Sequence, residues 1–225
     1  MPGIRLWPKY LEPAAQRRLV AEIFDRIATA PLYRPVMPVS GKPFSVLETN
    51  LGSLGWVSDV HGYRYEPVHR DTQLPWPPIP GLLLELWRDL TAYPEEPECC
   101  LVNLYRGGAR MGLHQDRDEA ALDAPVLSVS LGDDALFRIG GDTRKAATRS
   151  IRLHSGDVVM FGGAARLAFH GIDRVIEGTS SCIPGGGRLN LTLRRVGVPG
   201  KNKKTPDQGA DRASHAPLRA GAGRG

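Results

Sequence analysis

The chain has 225 residues, only three cysteines and a formal net charge of +5, and this length fits one domain with a full hydrophobic core. The odd number of cysteines, none in a Cys-x-x-Cys spacing, argues against a disulfide framework or a cysteine-rich zinc site and fits a reducing compartment. No stretch approaches the roughly 18 apolar residues of a membrane span, and the first residues lack a signal-peptide pattern, so we expect a cytoplasmic protein without membrane contact.

Two helices are predicted in the first half of the chain. Apolar residues at helical spacing, with a proline near the first turn, predict a helix over about 12–28. A second helix is predicted over about 81–91, after a run of prolines that prevents an earlier start. Between them, residues 32–80 contain aromatic residues among Gly and Pro turns, which indicates short hairpins forming a lid over a binding site. The aromatic residues of this lid are Trp56, Tyr63, Tyr65 and Trp76.

Residues 99–196 alternate short β-rich runs with turns. Seven or more such strands predict a mostly β fold with flanking helices, whose core is a double-stranded β-helix, or jelly roll. The predicted strands are 101–106, 125–132, 135–139, 150–153, 157–161, 168–172 and 189–196.

Most of the positive charge lies at the C-terminal end. Residues 201–225 hold six basic and two acidic side chains, so residues 1–200 are close to neutral. The excess therefore says little about a polyanion-binding surface on the body of the protein. Because the same segment nearly lacks large apolar groups, we predict a disordered basic tail after one domain of residues 1–200.

Three residues of the β-rich region have the chemistry of a metal site. His114 and Asp116 are at i and i+2, on the same side of an extended segment. His170 ends a short apolar run and precedes a glycine, as expected for a ligand on a facing strand. Two imidazoles and one carboxylate on one side of an ion are typical of non-haem Fe(II) oxygenases. A lone His-x-Asp is common in surface turns and a lone histidine in cores, so the prediction depends on all three.

A basic strand follows near the end of the domain. Arg188 and Arg194 are on the same side of residues 188–194, together with Asn190 and Thr192, while three leucines face the other side. One interpretation is an edge strand with a solvated basic face. The other is an inward face beside the metal, where two guanidinium groups would bind a dicarboxylate.

These motifs and their order resemble the AlkB family of Fe(II)- and 2-oxoglutarate-dependent dioxygenases, in its bacterial DNA-repair branch. The resemblance covers about residues 45–196. The segments that carry it are Gly55-Trp56, Gly62-Tyr63-x-Tyr65, Pro75-Trp76-Pro77, Asn103-Leu104-Tyr105, His114 to Glu119, Ser128 to Gly132, Gly156-Asp157-Val158-Val159, His170-Gly171 and Arg188 to Arg194.

The resemblance implies Fe(II) as cofactor and 2-oxoglutarate and O2 as co-substrates. It makes His114, Asp116 and His170 the iron ligands and catalytic residues. Arg188 and Tyr105 would hold the distal carboxylate of 2-oxoglutarate, with Arg194 and Asn103 near its metal-chelating end. The full set of co-substrate residues that it implies is Asn103, Leu104, Tyr105, Arg188, Asn190 and Arg194.

The resemblance also implies a substrate: a base methylated on a ring nitrogen, such as 1-methyladenine or 3-methylcytosine, in DNA or RNA. Oxidative demethylation would release formaldehyde, succinate and CO2, and the base must leave its stack to be reached. Trp56 would stack on the flipped base, and Asp118 would meet its exocyclic amine. The other substrate contacts that it implies are Tyr63, Tyr65 and Arg144.

The residues alone allow three alternatives to be weighed. The same oxygenase chemistry could hydroxylate a protein or a small molecule. A non-catalytic module would lack an iron ligand or one of the two arginines, and none is missing. Zinc hydrolases also use two histidines and a carboxylate, but they do not need paired arginines. No segment resembles a finger that opens a duplex, so we expect a single-stranded substrate. We also expect a monomeric enzyme.

Overall fold

The computed structural model describes residues 2–197. They form a mostly β jelly roll with two flanking helices, as predicted; the predicted tail, residues 201–225, lies outside the described residues. The helices are α1 (Pro13–Thr29) and α2 (Gly81–Thr91). The strands are β1 (Ile4–Trp7), β2 (Leu47–Gly52), β3 (Gly55–Asp59), β4 (Gly62–Glu66), β5 (Cys99–Tyr105), β6 (Met111–His114), β7 (Val126–Gly132), β8 (Asp134–Ile139), β9 (Arg149–Leu153), β10 (Val158–Phe161), β11 (His170–Ile176) and β12 (Arg188–Arg194).

Two antiparallel sheets build the jelly roll. The major sheet has the order β1-β10-β7-β12-β5-β2, and the minor sheet has the order β6-β11-β8-β9. One core lies between the sheets and includes Tyr105 and Phe161 of the major sheet and Phe137 of the minor sheet. A second core joins the major sheet to both helices, so the major sheet is covered on both faces.

Each helix follows from its local sequence. Helix α1 begins at Pro13, because a proline suits the first turn, and buries Leu19 and Ile23. Helix α2 follows Pro80, buries Trp87, and ends where the next residue adopts a left-handed conformation. Both predicted helices are confirmed, within one residue for α1. Among the described residues, neither helix is long and apolar enough to cross a membrane.

The stretch predicted as a hairpin lid is only partly a hairpin. Strands β3 and β4 do form a separate two-stranded sheet, but β2 pairs with β5 and extends the major sheet. Its polar residues Glu48, Thr49 and Asn50 are all buried. Glu and Asn are uncommon in strands, and the three polar residues give no apolar alternation, so the sequence did not reveal this strand. The short strands β1 and β6 were also missed.

The basic strand β12 lies inside the major sheet. It pairs with β5 on one side and β7 on the other, and Arg188 is only 1% exposed. The interpretation of an edge strand with a solvated basic face is therefore wrong. The hydrogen bonds on both sides fix the position of every side chain that β12 presents to the interior.

Candidate active site

The three predicted metal ligands lie together. His114 ends β6 and pairs with His170 at the start of β11, and Asp116 follows two residues after β6. One potential ligand atom from each residue lies within 4.8 Å of the others. Strand pairing in the minor sheet thus joins residues that are far apart in the sequence.

Backbone carbonyl groups orient both imidazole rings. The Nδ1 atom of His114 donates to the carbonyl oxygen of Gly112 at 2.9 Å, and Nδ1 of His170 donates to that of Ala168 at 2.9 Å. This tautomer leaves both Nε2 atoms free for a metal, at 3.7 and 3.9 Å from the carboxylate oxygens of Asp116.

The protonation states of the predicted ligands also favour the binding of a cation. Burial would raise the pKa of Asp116, but Arg194 and the two histidines outweigh it and hold the pKa below its ordinary value. Burial, together with the neighbouring His114, lowers the pKa of His170 to about 4. Asp116 is thus anionic and His170 neutral, the forms that ligate metals. One oxygen of Asp116, Oδ2, is buried without a hydrogen-bond partner among the described residues. The residues therefore fit an Fe(II) ion.

Arg188 is a buried cation that forms no salt bridge with any of the described residues. Its Nη2 atom donates to Ser130 Oγ at 2.9 Å, and the guanidinium carbon lies 5.5 Å from the centre of the Tyr105 ring. The Nε and Nη1 atoms have no partner within residues 2–197. Because an unpaired buried guanidinium is costly, this one fits the carboxylate of a ligand.

The sheet register aligns the other co-substrate residues with Arg188. Tyr105 is opposite Arg188, and Asn103 is opposite Asn190. Arg194, at the far end of β12, donates from Nη2 to Oδ1 of Asp116 at 2.9 Å, which joins the basic strand to the metal ligands. These placements agree with a dicarboxylate lying along β12 toward the metal.

Leu104 requires a correction. Strand alternation turns its side chain into the core that faces the helices, whereas Tyr105 faces the core between the sheets. Only the main chain of Leu104 is therefore available to the co-substrate site.

A cavity of about 570 Å³ joins the metal ligands to most of the co-substrate residues, although Arg188 is not among the residues that line it. The metal ligands, Asn103, Tyr105, Asn190 and Arg194 line it, and so do residues of the predicted lid. Its size is that of a small-molecule site in which a few polar groups fix the ligand. The co-substrate and a base could therefore occupy one continuous space.

Comparisons with known proteins all indicate the same protein family. A model of the 2OG-Fe(II) oxygenase superfamily matches residues 3–194. The AlkB homolog of Caulobacter vibrioides, an alpha-ketoglutarate-dependent dioxygenase, is 57% identical over 198 residues, covering 87% of this chain and 89% of that protein. The chain belongs to the AlkB family. It is an Fe(II)- and 2-oxoglutarate-dependent dioxygenase.

Two further AlkB relatives agree. The alpha-ketoglutarate-dependent dioxygenase AlkB of Escherichia coli is 41% identical over 191 residues, covering 81% of this chain and 86% of that protein. A solved structure described as that of OsALKBH1 is 29% identical, with a TM-score of 0.74 over 87% of this chain and 99% of that chain. This chain thus shares its fold with that structure.

Two of the predicted substrate residues of this AlkB protein form one wall of the cavity. The rings of Trp56 and Tyr63 are stacked, with 5.4 Å between their centres and 19° between their planes. The indole Nε1 of Trp56 donates to Oδ2 of Asp118 at 2.8 Å. Trp56 and Asp118 both line the cavity that His114 also lines.

Trp76 has a supporting position. It is 4% exposed, and its Nε1 donates to the backbone oxygen of Glu66 at 2.8 Å. A Cβ atom at Gly55 would lie 2.4 Å from the Trp76 ring, so only glycine allows this contact. Trp76 therefore anchors the β3–β4 hairpin to the rest of the protein.

Tyr65 and Arg144 differ in how they relate to the cavity. Arg144 lines it, with its guanidinium carbon 5.4 Å from the centre of the Phe169 ring. Tyr65 is absent from the lining, and its hydroxyl group donates to Glu119 Oε1. The expectation that Tyr65 lines the approach is therefore corrected, because its hydroxyl group is used within the protein.

A buried ion-pair network behind the metal ligands was not predicted. Arg166, which is 4% exposed, donates to Glu119 Oε2 at 3.0 Å and to the backbone oxygen of Asp116. Arg194 Nε lies 3.6 Å from Glu119 Oε1. The network joins Tyr65 of the hairpin to the metal-ligand loop. Its members lie in separate segments, so no local spacing could have revealed it.

Proposed function

We propose that this dioxygenase oxidatively demethylates alkylated bases of nucleic acids, with 1-methyladenine and 3-methylcytosine as the first candidates. The observation that carries the proposal is the position of Trp56 and Asp118 in the same cavity as the metal ligands. An aromatic face suits a base removed from its stack, and a carboxylate suits the positive charge that alkylation gives these bases.

His114, Asp116 and His170 would hold the Fe(II) ion. The Nδ1–H groups of His114 and His170 donate to the carbonyl oxygens of Gly112 and Ala168, and these hydrogen bonds hold both rings in orientation. When bound, Fe(II) with 2-oxoglutarate and O2 supplies the oxidation that hydroxylates the methyl group and leads to the loss of formaldehyde.

The buried basic strand would hold 2-oxoglutarate. Arg188 and Tyr105 would bind the distal carboxylate, and Arg194 and Asn103 would lie near the other end, with Asn190 between them. Since Arg188 and Arg194 are 1% and 6% exposed, their attraction for carboxylates is little screened by water.

Trp56 would stack on the flipped base, with His114 on the opposite side, and Tyr63 would extend this aromatic wall toward solvent. Asp118 already accepts a hydrogen bond from Trp56 at one oxygen, so its other oxygen would accept from the exocyclic amine. Arg144 would contact the substrate from the facing loop. Together these side chains would exclude water from the methyl group during oxidation.

The decisive experiment incubates the protein with Fe(II), 2-oxoglutarate, O2 and single-stranded oligonucleotides that carry 1-methyladenine or 3-methylcytosine. We expect reversion of the base with release of formaldehyde, and loss of both in His170→Ala. Conversion of 2-oxoglutarate to succinate without any reversion would reject this substrate and favour hydroxylation of a protein or small molecule. Exposed Glu85→Gln on α2 is the matched control and should retain full activity.

The strandedness of the substrate and the oligomeric state of the enzyme are also part of the proposed function. We propose a preference for single-stranded nucleic acid, because no segment of residues 2–197 resembles a finger that would open a duplex. Rates on the same lesion in single-stranded and duplex oligonucleotides test this preference. We further propose that the enzyme acts as a cytoplasmic monomer through one domain, residues 1–200.

A further inference from the structure

One buried acid in the cavity has no role in the function described above. Glu48 is 0% exposed and lines the cavity. Neither of its carboxyl oxygens has a hydrogen-bond partner among the described residues. Because buried polar groups in proteins are nearly always hydrogen-bonded, an unsatisfied acid in a cavity wall indicates a ligand that satisfies it.

The register of the major sheet places Glu48 beside the co-substrate residues. Glu48 in β2 is opposite Asn103 in β5, which is opposite Asn190 in β12. The three side chains therefore form one row on the inner face of the sheet. The amide oxygen of Asn103 is also buried without a partner within residues 2–197. Two neighbouring residues of this row thus have unsatisfied groups.

The surroundings of Glu48 favour its neutral form. Burial raises the pKa of Glu48 to about 8, although Arg194 on β12 opposes the shift. Tyr33, which forms a β-bridge with Glu48, and Tyr105 on β5 also act on it electrostatically. Burial raises the pKa of both phenols, so neither is charged near neutral pH. Below pH 8, Glu48 is therefore mainly a carboxylic acid with an O–H group to donate.

We propose that Glu48 is a further co-substrate-binding residue, whose carboxylic acid donates a hydrogen bond to the carboxylate of 2-oxoglutarate beside Asn103 and Arg194. The inference rests on the co-substrate site proposed above. An ionised glutamate would repel a carboxylate at this position, whereas the neutral acid forms a charge-assisted hydrogen bond to it. A bound anion would in turn strengthen the preference of Glu48 for its proton.

The test is the affinity of the full-length protein for 2-oxoglutarate, measured by calorimetry with Mn(II) in place of iron and without oxygen. The wild-type affinity should be constant up to about pH 7.5 and fall about tenfold by about pH 9, because Glu48 must regain a proton to bind. Glu48→Gln keeps a donor and cannot ionise, so its affinity should stay constant. All other titrating groups are shared, and the difference between the two proteins reports on Glu48.

A second variant separates binding from a purely structural role. Glu48→Leu removes the donor at similar volume and should weaken 2-oxoglutarate binding about tenfold or more at neutral pH. It should also raise the Tm, because an unsatisfied buried acid is replaced by an apolar group. If Glu48 served only the fold, the Tm would fall. Exposed Glu85→Gln should change neither quantity.

The possible results are distinct. The same pH dependence in wild type and Glu48→Gln, or undiminished affinity in Glu48→Leu, would overturn the role of Glu48 and leave the co-substrate site in place. If the wild-type protein bound no 2-oxoglutarate at any pH, both this inference and the proposed function would fail.

Discussion

The buried polar residues of the site only partly satisfy one another's hydrogen-bonding groups. Arg188, Asp116 and Asn103 each keep at least one buried polar atom without a partner among the described residues. Such atoms lower the free energy of unfolding, because their hydration is lost without a replacement. The unsatisfied atoms lie along the space where an ion and a dicarboxylate would bind, so ligands would restore the missing interactions.

Trp56 gives the most direct test at the residue scale. Trp56→Ala should raise the KM for a methylated oligonucleotide about ten- to hundredfold, since stacking on an aromatic ring stabilises a bound base by about 1–3 kcal/mol. Steady-state kinetics with a single-stranded substrate would measure the change.

Trp56→Phe is the matched control, because it keeps an aromatic face and loses only the hydrogen bond to Asp118. It should retain most of the affinity. An unchanged KM in Trp56→Ala would mean that the indole ring anchors the loop without touching the base.

At the scale of elements, the β3–β4 hairpin is attached to the jelly roll by few polar contacts. Asn50 of β2 bonds to both the backbone N–H and the carbonyl oxygen of Trp56, at 3.0 and 2.9 Å. Tyr65 provides the contact to Glu119. These contacts determine how the aromatic wall is held over the metal ligands.

Tyr65→Phe should therefore lower the free energy of unfolding by about 1.5–3 kcal/mol, the usual contribution of a hydrogen bond to a charged group. The KM for the oligonucleotide should rise as well, because the hairpin is held less firmly. Urea denaturation and steady-state kinetics measure the two effects.

Tyr63→Phe is the control from the same hairpin. Tyr63 is 48% exposed, so removing its hydroxyl group should change the free energy of unfolding by less than about 0.5 kcal/mol. Equal stability of the two variants would show that the Tyr65 hydroxyl does not secure the hairpin.

The sequence predicted elements whose signals are local. Helix α2 is predicted to the residue because Pro80 and the apolar spacing define both its start and its buried face. Strand β2 was not predicted, because Glu48, Thr49 and Asn50 are polar and become buried only through pairing with β5. The central place of β12 likewise depends on partners far away in the chain.

The same distinction applies to the site. The spacing of His114 and Asp116 predicted a shared face, the apolar run before His170 suggested a ligand on a facing strand, and the resemblance joined the three. The salt bridge between Arg166 and Glu119 joins separate segments and has no local pattern, so it required the structure. Tyr65 was placed wrongly because a motif gives a residue's position along the strand and not the partner of its hydroxyl group.

For the whole molecule, bound ligands should contribute a large part of the free energy of unfolding. Mn(II) and 2-oxoglutarate, at about a hundred times their dissociation constants, should each stabilise the fold by about 2.7 kcal/mol. For a chain of this size, each ligand should then raise the Tm by about 5–10 °C. Thermal unfolding with and without each ligand measures the shift.

His170→Ala should lose the Mn(II)-dependent part of the shift, and a chelator should reverse it in the wild type. A shift of equal size in His170→Ala would place the metal elsewhere. The comparison needs no turnover, so it tests the metal site independently of the substrate.

The depth of the residues in the cavity has a consequence for kinetics. Arg194 is 6% exposed on the cavity floor that the major sheet forms, whereas Tyr63 is 48% exposed beside Trp56 at the opening. A base stacked on Trp56 would close the path to the floor. The reaction should therefore follow a compulsory order, in which 2-oxoglutarate binds before the nucleic acid and succinate leaves after it. An excess of the repaired strand should then slow turnover, because the bound strand traps succinate in the site.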